Sequence, residues 1–240
     1  MTKQSIDKSA VSPKQQGLLR EVCRFRFVTA ELLTAHLRLA SVNALRRRLQ
    51  RLMDTGYLAR HYGSGNRLQR LPATYYVTPK SRLLLRHDVP EAVLNGIYKH
   101  EHASKRLQDH CVTVLKVMVQ LEQRLGTAVT CYPKNDLAIY DYLPSPLPDG
   151  LIITTDAGGR RHDYLLEVFD SSTPRFVIRN RLRYYRDYFE AGGWNVTNLP
   201  VPTIQVVCRS TSQQEYTQTV LDSLILGDTP SIRFELTVVT

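Results

Sequence analysis

The chain has 240 residues, 42% of them hydrophobic, and a formal net charge of +10. This length permits one large domain or two small ones, and the apolar content can bury a sizeable core. The positive surplus points to a polyanionic partner, and no apolar run approaches the ~20 residues of a membrane helix, which excludes membrane insertion.

The segment 1–8 lacks the apolar stretch of a signal peptide. Cys23, Cys111, Cys131 and Cys208 stand far apart with no CxxC pair, so reduced, buried thiols and a soluble, cytoplasmic protein are expected. The charge is placed unevenly. Residues 1–86 carry 17 basic and 4 acidic side chains, whereas residues 87–240 carry 15 and 18. A basic module is joined to a near-neutral body.

Residues 1–13 are polar and read as a flexible lead-in. Pro13 suits the first turn of a helix whose apolar face is Leu18, Leu19, Val22, Cys23 and Phe25. Thr29 is the N-cap expected for a second helix, with Leu33, Leu37 and Leu39 inward. Ser41 opens a third, in which Leu45, Leu49 and Leu52 share a buried face. That leaves Asn43, Arg46, Arg47, Arg48, Gln50 and Arg51 outward, side chains able to reach phosphates and base edges. Gly56 ends this helix as a left-handed cap.

A strand over 57–62, a turn over 63–66 and a strand over 73–77 follow, decorated by Arg60, Arg67 and Arg70. Three helices and a basic hairpin over 14–90 resemble a winged helix-turn-helix that binds double-stranded DNA. A solvated helix face would also account for Arg46–Arg48, but the basic residues recur on the hairpin.

A short helix over 81–86 and a joint at 88–90 lead into residues 91–240. A long helix is expected over 100–125, ended by Gly126. His100, His102 and His110 near its start have too few companions for zinc and read as capping or exposed residues. Strands are expected over 128–132, 151–155, 163–169, 203–207 and 232–239, with helices over 174–190 and 213–224. The fold class is α+β: a winged helix-turn-helix followed by a mixed-sheet α/β domain.

Asp156-Ala157-Gly158-Gly159 is a hairpin turn signal. Pairing the flanking strands through it brings Asp149 beside Glu167 at the open end of the hairpin. Adjacent carboxylates repel unless a cation lies between them, and oxygen ligands suit Mg²⁺ or Mn²⁺. Such an ion would polarise a phosphate. Glu167 is also costly in an apolar strand unless paired.

Pro148-Asp149 followed by Glu167-Val168-Phe169 resembles a degenerate PD-(D/E)xK nuclease motif. A closer resemblance, over about 14–238, is to the replication-relaxation family of plasmids and mobile elements. Its Pro-Asp turn, Leu-Glu-x-x-Asp strand and Lys-Leu-x-x-Tyr helix are matched by Pro148-Asp149, Leu166-Glu167-Val168-Phe169-Asp170 and Arg181-Leu182-Arg183-Tyr184-Tyr185. Length and layout look most like the MobC-type mobilisation relaxases.

That resemblance implies a restriction-endonuclease-like second domain that nicks one strand at a plasmid transfer origin. Asp149 and Glu167 would hold the divalent metal, and a coupling protein and other mobilisation proteins would be partners. Two departures stand out: Phe169 occupies the place of the nuclease lysine, and Arg181 stands where relatives carry a lysine on the next helix. Arginine stays protonated and cannot serve as a base. Arg181 and Tyr185 join the catalytic candidates, the tyrosine either as a nucleophile or as a packed aromatic. The rival reading is a regulator of plasmid replication or mobilisation whose nuclease-like half is inactive.

Overall fold

A computed structural model describes residues 11–225 and 232–238. Most of the lead-in expected over 1–13, and Val239 of the last strand, lie outside the described residues. The chain divides into two compact units, Met1–Val112 and Thr113–Thr240.

In the first unit, Ser12 and Gln15 form a capping box that starts helix α1 (Pro13–Phe25). Thr29 caps α2 (Ala30–His36), and Ser41 caps α3 (Val42–Asp54). Leu45, Leu49 and Leu52 are the buried face of α3. Its end is a Schellman motif. Gly56, at φ +74°, donates to Met53 O at 2.8 Å, and Tyr57 N–H donates to Leu52 O at 2.9 Å.

Strands β1 (Leu58–His61) and β2 (Thr74–Val77) pair antiparallel from Leu58↔Val77 to His61↔Thr74. Val28, between α1 and α2, forms a single antiparallel bridge to Tyr75 and adds a third segment to the pair. The tip of this hairpin is not the plain turn expected over 63–66. It holds a short helix α4 (Ser64–Leu68), because the polar residues that signal a turn also suit a helix start. Two further short helices, α5 (Arg82–Leu85) and α6 (Glu91–Leu94), flank the segment 88–90.

His100 corrects a second expectation: it is buried, neither capping nor exposed. Its ring lies 5.3 Å from that of Phe27 and 6.4 Å from that of Tyr76, and its Nδ1 has no hydrogen-bond partner. Burial, followed by the charge of Arg26, lowers its pKa to about 4, so it behaves as a neutral core residue. All four cysteines are buried thiols outside any disulfide.

Helix α7 (Lys105–Leu125) crosses the division between the units. It begins later than the expected residue 100 because Ser104 Oγ accepts the Leu107 N–H and caps it. Gly126, at φ +62°, follows its end. The second unit continues with β3 (Val129–Pro133), β4 (Gly150–Thr155), β5 (Arg161–Phe169), α8 (Arg175–Glu190), β6 (Thr203–Cys208), α9 (Thr211–Ile225) and β7 (Phe234–Val238). The sheet order is β3-β4-β5-β6-β7, antiparallel across the first two pairings and parallel across the last two.

One sheet face carries Leu165, Phe169, Ile204, Val206 and Cys208 into a core with Ile178, Leu182, Tyr185 and Phe189 of α8 and Leu221 of α9. On the other face, α7 comes so close that a Cβ on Gly150 would collide with Met118 Cε. The architecture is α+β with a mixed five-stranded sheet, as the sequence predicts. Among the described residues no helix is long and apolar enough to cross a membrane.

Candidate active site

The β4–β5 register ends on Leu151↔Leu165 and Gly150↔Leu166, and Asp149, just before β4, lies against the Glu167–Val168 stretch of β5. Asp149 N–H donates to Leu166 O at 2.9 Å while its carbonyl accepts Lys134 N–H at 3.0 Å, so the regular ladder ends at this residue and Asp149 is held between the two neighbouring segments. Side chains alternate along a strand, so Glu167 shares the α8 side of the sheet with Leu165 and Phe169. Asp149 is 7% exposed and Glu167 8%.

Each carboxylate has a donor of its own. Val168 N–H donates to Asp149 Oδ2 at 2.9 Å. Glu167 Oε2 accepts Arg181 Nε–H at 2.8 Å and the Tyr185 hydroxyl at 2.7 Å. Burial, then the neighbouring Asp149, raises the Glu167 pKa, against the opposing pull of Arg181 and Tyr185. The pair is thus electrostatically linked as well as adjacent.

Arg181 is committed on every side. Besides Glu167 it donates from Nη1 to Pro146 O at 2.6 Å and from Nη2 to the Tyr185 hydroxyl at 2.9 Å. Its guanidinium lies 4.5 Å from the centre of the Tyr185 ring. Tyr185 is fully buried, and burial followed by Glu167 pushes its pKa well above the usual phenol range. Of the two readings of this tyrosine, the geometry favours the packed one, with the hydroxyl holding Glu167 in place.

Sequence reasoning missed what the same helix does for the loop before Asp149. Ser145 N–H donates to the Tyr184 hydroxyl at 2.8 Å, and the Tyr188 hydroxyl donates to Tyr142 O at 2.6 Å. With Arg181 on Pro146 O, three side chains of α8 fasten the backbone of 142–146, the segment that delivers Asp149. These backbone partners are not visible in the sequence, because they lie 39 and 46 residues from Tyr184 and Tyr188. Phe169 is 2% exposed and belongs to the core.

Among the described residues no group of three His, Cys, Asp or Glu side chains could hold a metal ion. Two neighbouring carboxylates fit an ion of the Mg²⁺ type, which keeps several waters and takes one or two carboxylates plus phosphate oxygens. Both bonds to Glu167 fall on Oε2, so Oε1 is the oxygen it can offer.

In the first unit, Asn43, Arg46, Arg47, Arg48, Gln50 and Arg51 are all exposed on α3. Arg46 is paired with Glu31 and bonds Asn43 Oδ1 at 3.2 Å, and Gln50 bonds Asp54 at 2.7 Å. Arg47, Arg48 and Arg51 have no acidic partner among the described residues. Arg60 lies 5.6 Å from the Tyr62 ring centre, and Arg67 and Arg70 are exposed. Arg46, Arg60, Arg67, Arg70 and Tyr62 line one groove of about 870 Å³ between the start of α2 and the hairpin.

The profile of the replication-relaxation family matches residues 19–203. The chain belongs to the replication-relaxation family. The match runs from within α1 to the start of β6 and so takes in α3, the hairpin, Asp149, Glu167 and Arg181. Membership in the replication-relaxation family suggests a role in plasmid replication or mobilisation that involves DNA. A search of curated proteins found no match. Among solved structures, a point mutant of Lactococcus lactis ZitR is 12% identical over 52% of this chain and 80% of its own, with a TM-score of 0.29. In this replication-relaxation protein the Pro-Asp turn, the Leu-Glu strand end and the Arg-Leu-x-x-Tyr helix meet in one hydrogen-bonded cluster.

Proposed function

We propose that this replication-relaxation protein binds plasmid DNA through its first unit and nicks one strand at a transfer origin at the Asp149–Glu167 pair. The observation that carries the reading is the placement of two buried carboxylates side by side, each oriented by its own donor. Burial of an acidic pair costs stability, and a structural role would be served as well by apolar residues. Unpaired Arg47, Arg48 and Arg51 offer phosphate contacts, and the basic groove beside the hairpin offers more.

In the nicking reading, Asp149 and Glu167 would hold Mg²⁺ or Mn²⁺, which would supply Lewis-acid polarisation of the scissile phosphate. Val168 N–H fixes the Asp149 carboxylate, and Tyr185 and Arg181 fix that of Glu167. Arg181 acts as a positioning residue, since its donors are directed to Glu167, Pro146 and Tyr185. A coupling protein and other mobilisation proteins are the partners this role calls for.

A second reading has its own support. Arg181 already balances Glu167, which suits a winged-helix regulator whose second unit has lost catalysis. Incubating the protein with supercoiled plasmid bearing the transfer origin, with Mg²⁺ or Mn²⁺, separates the two. Conversion to open circles supports nicking. Gel shift without conversion supports the regulator. Protease treatment of nicked product, leaving its mobility unchanged, is expected if no tyrosine becomes attached to DNA.

A further inference from the structure

The groove beside the hairpin is lined by more than charge. Its volume of about 870 Å³ falls in the ~300–1,000 Å³ range of small-ligand sites, the scale of single nucleotides rather than of a duplex. Leu32 of α2, Tyr62 just after β1, and Leu71 and Pro72 of the hairpin loop line it together with the arginines. Tyr62 is 41% exposed and Leu71 39%, so large apolar side chains stand open in a basic groove.

The hairpin tip folds back on itself. Leu71 N–H donates to Asn66 O at 2.8 Å and Arg70 N–H to Arg67 O at 3.2 Å, which closes the loop onto α4. The guanidinium of Arg60 lies over the Tyr62 ring. Glu31, the one acidic side chain among the described lining residues, is engaged with Arg46. Arg60, Arg67 and Arg70 have no acidic partner among the described residues.

A paired duplex turns its phosphates outward and keeps the faces of its bases stacked inside. It would meet these three arginines but set nothing against Tyr62 and Leu71. An unpaired strand offers both a phosphate at each nucleotide and the flat apolar face of each base. Grooves that hold single strands combine the same elements, cations along the backbone and an aromatic ring on which a base stacks. We propose that this groove takes an unpaired DNA strand, with Tyr62 stacked on a base and Arg60, Arg67 and Arg70 on its phosphates. This role rests on the reading of the first unit as a DNA-binding module and is independent of nicking.

The test measures fluorescence anisotropy with the full chain and no divalent metal. A labelled dT strand of about 12 nucleotides, inside the ~4–16 nucleotide span of such grooves, is compared with a blunt duplex of equal length. Tyr62→Leu is expected to bind the strand at least about fivefold more weakly, the loss of one stacked base, and to bind the duplex as wild type does. Tyr62→Trp should keep the wild-type affinity for the strand. Arg67→Gln and Arg70→Gln should each lower the salt slope of strand binding by about 0.7, one phosphate contact. Wild-type strand affinity in Tyr62→Leu overturns the proposal, and so does an equal loss on strand and duplex. A wild-type chain that binds the duplex but not the strand overturns the role of the groove and leaves DNA binding by the first unit standing. A wild-type chain that binds neither overturns both.

Discussion

Arg181 donates its Nε–H to Glu167 Oε2 over 2.8 Å, and both residues are only 8% exposed. The arginine sits inside the apolar stripe of α8, with Ile178 a turn before it, Leu182 beside it and Tyr185 a turn after it. A charge there is tolerable only with its partner. Truncating Arg181 leaves a buried carboxyl next to Asp149 without compensation, so Arg181→Leu is expected to cost about 3–5 kcal/mol of stability in urea unfolding. Combining it with Glu167→Leu should recover most of that loss. Strictly additive losses in the double variant contradict the pairing.

The same site sets a pH dependence. Burial and Asp149 raise the folded pKa of Glu167 above its ordinary value of 4.5. An acid that holds its proton more tightly when folded contributes stability that is complete below the unfolded value and lost as pH rises through the folded one. Glu167→Gln lacks this contribution. Between about pH 5 and about pH 8, wild type should therefore lose unfolding free energy relative to Glu167→Gln. Paired urea titrations at the two pH values check the sign, and a relative gain by wild type at high pH is the contrary result.

Gly150 follows Asp149 for a packing reason. A Cβ there would collide with Met118 Cε of α7 and sit 2.9 Å from Tyr132 O. Gly150→Ala is expected to destabilise the second unit by about 1–3 kcal/mol as helix and sheet are forced apart. Met118→Ala, which removes the side-chain obstacle, should relieve part of the penalty in a double-mutant comparison. Equal stability of Gly150→Ala and wild type by thermal or urea unfolding would refute the close approach.

On α3 the arginines are not equivalent. Arg47→Ala, Arg48→Ala and Arg51→Ala should each lower the salt slope of DNA binding by up to about 0.9, the loss of one phosphate contact. Arg46→Ala should do less, because Glu31 already engages that side chain. Glu31→Ala should tighten binding by freeing it. Fluorescence anisotropy over a salt series gives the ranking, and an Arg46→Ala effect larger than those of its neighbours contradicts it.

Much of the fold was legible because local signals agreed with one another. Ser41, the Leu45–Leu49–Leu52 stripe and Gly56 all delimit the same helix, and Asp156 to Gly159 close the β4–β5 hairpin whose open end brings Asp149 near Glu167. What could not be read depends on contacts between distant segments. His100 looks polar in sequence, and only the arrival of Phe27 and Tyr76 makes it core. Tyr184 and Tyr188 look like packing residues until the loop at 142–146 comes beside them. Arg181 was visible as a departure from a lysine pattern, yet its position inside an apolar stripe was the stronger hint of a buried partner.

The account stands most directly on one comparison: nicking of supercoiled transfer-origin plasmid by wild type, Asp149→Asn and Glu167→Gln at saturating Mg²⁺ or Mn²⁺. Each protein is first verified to shift the same DNA and to unfold cooperatively. Wild type is expected to yield open circles, with both variants reduced at least about a hundredfold, as for removal of a group that stabilises transition-state charge. Nicking by either variant at the wild-type rate would contradict an active site at Asp149 and Glu167.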